Sequence, residues 1–192
     1  MARSGEIANA SLLPRLLRIV LIGLCLWTAP AQNQGNVATA TGREVAEHEV
    51  KAVFLLNFVR FVEWPAQAGS RVEPFYICIL GDEPFDFTLD RLVTQEAVNG
   101  RPIEIRRLRR WQEPCQMLFV SRSEQDVFRT LRRVGPGVLT VGEEPGFLRD
   151  GGMINFVLEN RRVRFDVNRR AAEAAGLRIS SQLLSVARTV SQ

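Results

Sequence analysis

Residues 48–65 read HEVKAVFLLNFVRFVEWP, and this stretch decides how the rest of the chain must fold. Most of its positions are apolar, and Asn57, Arg60 and Glu63 interrupt them at intervals of three. That spacing predicts a helix with an unusually broad apolar surface. The longest uninterrupted apolar run has five residues, which excludes a membrane span because a span needs about 20. Pro65 cannot continue the helical hydrogen-bond ladder, so the helix must end before it.

We expect this helix to run from about residue 43 to residue 63 and to need cover on nearly every side. Three of its side chains are large, apolar and at helical spacing: Phe54, Phe58 and Phe61. Either the C-terminal helices of the same chain seal these rings, or the rings are offered to a second subunit.

The first 31 residues have the pattern of a secretory signal peptide. Three arginines precede an apolar stretch at residues 19–27, and Ala-Pro-Ala at residues 29–31 is a cleavage site of the A-x-A type. We expect residues 1–31 to be removed on export, with an uncleaved signal anchor as the alternative. Residues 32–42 are small and polar, which predicts a disordered arm. Residues 43–192 then form a single domain, long enough to bury a proper core.

Export changes how the charge of the chain is interpreted. The whole chain has 25 basic and 21 acidic residues, a net charge of +4. Of the basic residues, 24 are arginine and one is lysine, Lys51, a bias that nucleotide composition explains. The alternative is that the arginine runs at residues 106–110 and 161–162 contact anionic groups. Outside the cytoplasm these would be lipid headgroups, wall polymer or an acidic protein face, and not nucleic acid.

Two cysteines remain after the predicted cleavage, Cys78 and Cys115. In an oxidising compartment an isolated pair favours a disulfide. Two buried reduced thiols are the alternative interpretation.

Three short apolar runs, at residues 75–80, 117–120 and 138–141, predict strands buried on both faces. A polar loop and a helical segment follow each of them, which predicts a mostly parallel sheet with helices on both faces. Residues 153–158 and 162–167 alternate between apolar and polar, which predicts a C-terminal antiparallel hairpin at the edge of the sheet. The fold class is therefore α/β. A half-exposed strand is expected at residues 101–108, and the other helices at residues 84–93, 124–134, 169–175 and 181–189. Ser121 or Ser123, Asn168 and Ser180 are the expected caps of the last three helices.

Polar side chains follow the three buried strands, at the points where these strands end. In a parallel sheet those ends lie together, and ligands usually bind at that edge. Acidic and hydroxyl groups there suit a cation or a polar ligand, although the same residues also cap and terminate the elements. The candidate ligand mouth consists of Asp82, Glu83, Ser121, Ser123 and Glu143.

The sequence lacks the residue patterns that are typical of catalytic sites. His48 is the only histidine, and no group of histidines and cysteines has metal-ligand spacing. The chain has no GxGxxG, no P-loop and no GxSxG. We therefore expect a binding protein rather than an enzyme, with no cofactor and no metal. The candidate partner-binding residues lie near the C-terminus and close the core in the alternative interpretation: Phe165, Asp166, Asn168, Leu177 and Ile179.

Several segments together resemble one known family. They are VKAVFLLNFVRFVEWP, FYICILGDEPF, VNGRPIEIRRL, CQMLFVSRSE, VLTVGEEPGF and GGMINFVLENRRVRFDVN followed by AGLRISSQLL. In this order they resemble the YfiR-like family of periplasmic proteins, over about residues 47–190.

The resemblance implies an α/β fold and a regulatory role without catalysis. Such proteins repress an inner-membrane diguanylate cyclase by binding its periplasmic sensor domain, and capture by an outer-membrane lipoprotein releases the repression. Homodimers occur in the family. Cys78 and Cys115 occupy the places of one family disulfide. A second family disulfide would fall near residues 148–155, where this chain has no cysteine.

Two functions from different classes follow. The first is a periplasmic regulator that represses a membrane diguanylate cyclase or a related sensor. The alternative is a periplasmic module that binds a small ligand or a cell-wall fragment through the loops at the strand ends.

Overall fold

The computed structural model describes residues 35–65, 73–82, 84–85 and 87–191, with side chains from residue 47 onward. The predicted signal peptide therefore lies outside the described residues. The chain divides into two compact units, residues 1–37 and 38–192, and all elements below lie in the second unit apart from the first three residues of the first helix. Among the helices that the structure describes, none has the length and apolar character needed to cross a membrane.

Five helices and ten strands make up the described part of the chain. The helices are α1 (Gly35–Phe61), α2 (Thr88–Val93), α3 (Val127–Leu131), α4 (Arg169–Ala174) and α5 (Ser181–Val186). The strands are β1 (Val62–Glu63), β2 (Phe75–Leu80), β3 (Ala97–Val98), β4 (Arg101–Leu108), β5 (Met117–Val120), β6 (Leu139–Gly142), β7 (Ile154–Glu159), β8 (Arg162–Asn168), β9 (Arg178–Ile179) and β10 (Thr189–Ser191).

Helix α1 differs from the prediction at both ends. It begins at Gly35, so residues 35–42 of the expected disordered arm are helical. Extending an existing helix costs no new nucleation, and the alanines in this segment favour the extension. At the other end the helix stops at Phe61, because β1 pairs with β9 in antiparallel register. The helix therefore ends in a sheet contact before it reaches Pro65.

The main sheet has eight strands in the order β10-β8-β7-β6-β5-β2-β4-β3. All neighbouring strands in it are parallel except the β7–β8 hairpin and the β3–β4 pair. The mostly parallel sheet and the C-terminal hairpin are therefore confirmed. The hairpin was predicted at the edge of the sheet, and this prediction is wrong. Strand β10 pairs in parallel with the outer side of β8, so β10 forms the edge. The last helix accordingly ends at Val186, and the chain returns to the sheet.

Helices cover both faces of the sheet, as predicted. Ile77 and Ile79 of β2 belong to the larger apolar cluster, together with residues of α1, α2, α4 and α5. The alternate residues Cys78 and Leu80 belong to a smaller cluster on the opposite face, against which α3 packs. This division follows from the strand period of two.

The phenylalanines of α1 are sealed within the chain. Phe58 is fully buried, and its ring centroid lies 5.1 Å from that of Phe165 on β8. Phe54 is partly buried, with its centroid 5.3 Å from the same ring. Phe61 also packs partly buried against this cluster. The strands of the hairpin contribute directly to this cover, for which the sequence left two candidates, the C-terminal helices and a second subunit.

Two of the predicted helix caps are present. The Ala171 N–H donates to Asn168 Oδ1 (3.0 Å), and the Leu183 N–H donates to Ser180 Oγ (3.2 Å). The cap of α3 is a correction. Asp126 replaces Ser121 and Ser123 in this role, because α3 starts at residue 127, three residues later than expected, and its Arg129 N–H donates to Asp126 Oδ1 (3.0 Å).

Candidate functional site

The loops after β2, β5 and β6 meet at the carboxyl ends of these strands. The Asp82 N–H donates to Ser123 Oγ (2.7 Å), and the Ser123 N–H donates to Ser121 Oγ (3.4 Å). The Arg122 N–H donates to Glu143 Oε1 (3.3 Å). The structure thus brings four of the five predicted mouth residues together.

The fifth predicted residue, Glu83, lies outside the described residues. The close approach of the loops after β2 and β5 depends on Gly81, which has a φ of +90°. A Cβ atom at Gly81 would lie only 2.6 Å from Ser123 Oγ. Glycine is therefore required there both by backbone conformation and by space.

A lysine from α1 enters this acidic edge. Lys51 Nζ lies 2.7 Å from Glu143 Oε2 and 2.6 Å from Glu47 Oε1. Lys51 is 5% exposed, and the Glu143 side chain is 9% exposed. Buried charges persist in proteins when they are paired. The cation that the acidic loop attracts is thus supplied by the protein itself.

Sequence reasoning missed this role of Lys51, although one signal was available. A single lysine in a chain of 24 arginines stands on the most apolar helix. Its partner Glu143 is 92 residues away. The lone lysine on a helix that must be buried indicates a charge partner, but not which acid supplies it.

Beside this ion pair an open groove of about 320 Å³ remains between the strand-end loops and α3. Arg122 lies at its rim, with Nε 3.0 Å from Glu144 Oε1. Within the described part of the chain, no three histidine, cysteine or acidic side chains are grouped so that they could hold a metal ion. The groove is shallow and polar, and its acids are partly paired. Its acidic lining residues are Glu124, Asp126, Glu144 and Asp150.

The predicted partner-binding residues sit mainly in the core. Phe165 and Leu177 are buried in the larger apolar cluster. Ile179 is partly buried and pairs with Val62 across β9 and β1. Asn168 is partly exposed and caps α4. Two of these side chains therefore close the core and present no surface to a partner.

The fifth of these residues, Asp166, forms a bidentate ion pair with Arg188. Arg188 donates from Nε to Asp166 Oδ1 (2.8 Å) and from Nη2 to Oδ2 (2.5 Å). These hydrogen bonds hold the pKa of the Asp166 carboxyl below its usual value, although burial opposes the shift. They likewise raise the pKa of Arg188. Asp166 is only 8% exposed because β10 covers it.

The predicted disulfide joins Cys78 of β2 to Cys115 in the loop before β5, with a Cα–Cα distance of 6.0 Å. Both sulfur-bearing residues are buried in the smaller apolar cluster. Nearby, the Arg106 guanidinium lies 3.4 Å from the centroid of the Tyr76 ring and donates to the Pro114 carbonyl (3.2 Å). The loop before β5 is thus attached to the sheet by the disulfide and by the hydrogen bond from Arg106.

Comparison with known proteins identifies one family. A family model described as YfiR/HmsC-like matches residues 48–188. Curated proteins provide no match to the chain. Among solved structures, a conserved domain protein from Vibrio cholerae O1 biovar El Tor is similar, with a TM-score of 0.49 and 10% sequence identity. The alignment covers 75% of this chain and 60% of that one, so the chain spans less than two thirds of the length of that protein.

Proposed function

The chain belongs to the YfiR/HmsC-like family, and from this premise we propose that it represses a membrane-bound diguanylate cyclase or a related membrane sensor. At the level of the family it is a periplasmic regulatory protein, and we propose that it has no catalytic activity. The repression would act through binding of the periplasmic domain of the membrane protein. The observation that carries the proposal is the family match, which extends from α1 to the residue before β10.

The closed edge of the sheet supports a role without catalysis. In an α/β enzyme the carboxyl ends of the strands normally form the substrate cleft. Here Lys51 and Glu143 fill that position as a buried ion pair. The same pair weighs against a small ligand between these strand ends, because that ligand would have to displace Lys51; the alternative function is left with the shallow groove beside α3.

The proposed location rests on the first 31 residues and on the disulfide. We expect cleavage after Ala31 and release into the periplasm. A buried disulfide is typical of an oxidising compartment, and Cys78–Cys115 meets that description. Because the second family disulfide has no counterpart here, redox release through that bond is not part of the proposal.

Other partners belong to the same proposal. An outer-membrane lipoprotein would capture the protein and relieve repression, and a second copy would form a homodimer. Of the predicted contact residues, Asn168 and Ile179 retain partial exposure. We propose that a partner touches Asn168, which pairs with β10 at the edge of the main sheet, and Ile179, which lies in the two-stranded β1–β9 sheet.

Deletion of the gene in the source bacterium tests the regulatory role. The deletion should raise cyclic-di-GMP and surface attachment, because the cyclase would lose its repressor. Supplying the full chain in trans should restore the original levels. A matched version without residues 1–31 should not restore them, since it would remain in the cytoplasm. Unchanged cyclic-di-GMP in the deletion strain would contradict the proposal.

A separate measurement addresses the small-ligand alternative. Thermal-shift screening of the purified protein against polar metabolites and muropeptides should give a flat response if Lys51 closes the mouth. A ligand that raises the Tm of the protein, and fails to do so with Glu143→Gln, would favour the alternative instead.

A further inference from the structure

The net charge of the protein is concentrated in one segment of the chain. Residues 106–133 contain eight arginines and three acids, a net charge of +5. The whole chain has a net charge of +4. The residues outside this segment therefore have a net charge of −1. A uniform arginine bias would not produce such a distribution, so the compositional explanation of the arginine runs is insufficient.

The fold gathers the two ends of this segment on one face of the sheet. Trp111 and the α3 residues Val127 and Leu131 pack into the smaller apolar cluster. The Trp111 Nε1–H donates to the Arg133 carbonyl (3.2 Å). The loop that starts at residue 109 and the C-terminal end of α3 are therefore neighbours in space.

Four arginines of these two segments have no ion-pair partner. They are exposed, and no carboxylate in the part of the chain that the structure describes pairs with them. Residues 127–134 contain no acid, and Glu113 is the one acid in residues 109–116. We call these four residues the basic face: Arg109, Arg110, Arg132 and Arg133.

An exposed aromatic ring lies beside the basic face. Phe128 on α3 is 53% exposed. The Arg132 guanidinium, one turn further along the helix, is 5.6 Å from the centroid of this ring. On its other side the ring lines the groove that carries Glu124, Asp126, Glu144 and Asp150, so Phe128 marks the boundary between the basic face and the acidic groove. An accessible phenylalanine at the border of the basic face combines an apolar anchor with positive charge. That is the combination with which proteins bind the headgroup region of anionic bilayers.

We propose that the basic face docks on the surface of an anionic phospholipid bilayer, with Phe128 entering the headgroup region. Each arginine near such a surface strengthens partitioning by roughly fivefold. The exposed Phe128 ring beside these guanidinium groups favours a bilayer over an acidic protein face, because the headgroup region accommodates both an aromatic ring and the positive charges. The proposal does not depend on repression of a cyclase.

Vesicle binding of the protein purified from the periplasmic fraction tests this inference. The protein should co-sediment with vesicles of phosphatidylglycerol mixed with phosphatidylcholine, and not with vesicles of phosphatidylcholine alone. Binding should fall as salt is raised, because the Debye length shrinks from about 10 Å at 0.1 M to about 3 Å at 1 M. The combined variant Arg109→Gln, Arg110→Gln, Arg132→Gln and Arg133→Gln should bind at least about tenfold more weakly.

A matched variant removes the same charge elsewhere. Arg161, Arg162, Arg164 and Arg170 are also exposed, on the hairpin and α4. Their replacement by glutamine should leave most of the vesicle binding intact. Phe128→Ser should weaken binding several-fold without changing its dependence on salt. Circular dichroism should show that each variant unfolds at the Tm of the original protein, since all substituted side chains are exposed.

Three results would overturn the proposal. The first is equal binding to charged and neutral vesicles. The second is equal loss of binding in the two quadruple variants. The third is no vesicle binding by the original protein; loss of repression in the basic-face variant would then assign the face to an acidic protein partner.

Discussion

At the scale of single residues, Lys51 has the largest energetic consequence. The substitution Lys51→Met keeps an unbranched side chain of similar length but removes the positive charge. Glu143 would then remain buried without a cationic partner. We expect the free energy of unfolding to fall by about 3 kcal/mol, because breaking a buried ion pair leaves an uncompensated charge. Urea denaturation measures this difference.

Two variants serve as controls for the Lys51 substitution. Arg60 on the same helix pairs with Glu96 at the surface (2.8 Å), and Arg60→Met should cost less than about 1 kcal/mol. The double variant Lys51→Met with Glu143→Gln should regain part of the loss. If the free energy of unfolding of Lys51→Met lies within about 0.5 kcal/mol of that of the original protein, Lys51 and Glu143 are not a buried pair in solution.

At the scale of elements, a partly buried ion pair between Arg188 and Asp166 joins the backbone pairing with β8 in holding β10 at the edge of the sheet. Asp166 has a lowered pKa in the folded protein because Arg188 donates hydrogen bonds to it. Its contribution to stability is therefore complete above the unfolded pKa of about 3.9, and is lost as the pH falls through the lower folded pKa. We expect Asp166→Asn to lower the Tm at neutral pH, by an amount that shrinks toward zero in acid. Thermal unfolding followed across this pH range measures the offset.

Asp126→Asn is a suitable comparison for this pH dependence. Asparagine caps a helix as well as aspartate does, and the Asp126–Arg129 pair is exposed. Its Tm should stay near that of the original protein at every pH. If the difference in Tm between Asp166→Asn and the original protein stays the same at acidic pH, Arg188 does not stabilise the Asp166 carboxylate.

The elements differ in how far the sequence predicts them, and the reason is physical. Strands β2, β5 and β6 are buried on both faces, so their apolar runs identify them. Strand β10 is three residues long and all three are exposed, and it is held by its pairing with β8 and by the Arg188–Asp166 contact. No local pattern reveals it. For the same reason the hairpin was expected at the edge of the sheet.

The candidate site shows the same limit. The meeting of the strand-end loops follows from parallel strands, and so it was predictable. The cation that closes these loops could not be identified from the sequence, because Lys51 and Glu143 are 92 residues apart. Phe165 and Leu177 were assigned to a partner surface because they lie near an edge. The sequence predicts the last helix, and closure of the core is the alternative interpretation of these residues, but no pattern indicates that β10 extends the sheet beyond β8.

At the scale of the whole molecule, the disulfide ties the central strand β2 to the loop that precedes β5. The two cysteines are 37 residues apart, and closing such a loop contributes about 3–4 kcal/mol in the chain-entropy model. The double variant Cys78→Ala and Cys115→Ala should lose about that much free energy of unfolding in urea. Both residues are buried, so we expect reductant to act only after denaturation.

Mass spectrometry provides the chemical check on this bond. In denaturant the reduced protein should be heavier than the untreated protein by two hydrogens. Alkylation of both thiols in denaturant without reductant would show that the bond is absent. The loop that this bond anchors also carries Arg109 and Arg110, so the double variant should weaken vesicle binding as well.

The burial of Lys51 determines which reagents can find the partners of this protein. It is the only lysine of the chain, and its amine is enclosed by Glu47 and Glu143. Amine-directed cross-linkers and amine-coupled sensor surfaces therefore have the α-amino group as their accessible target, and negative results from them carry little information. Carboxylate-directed or photoreactive reagents suit this surface better. Conversely, acylation of Lys51 under native conditions would report that α1 has separated from the loop after β6.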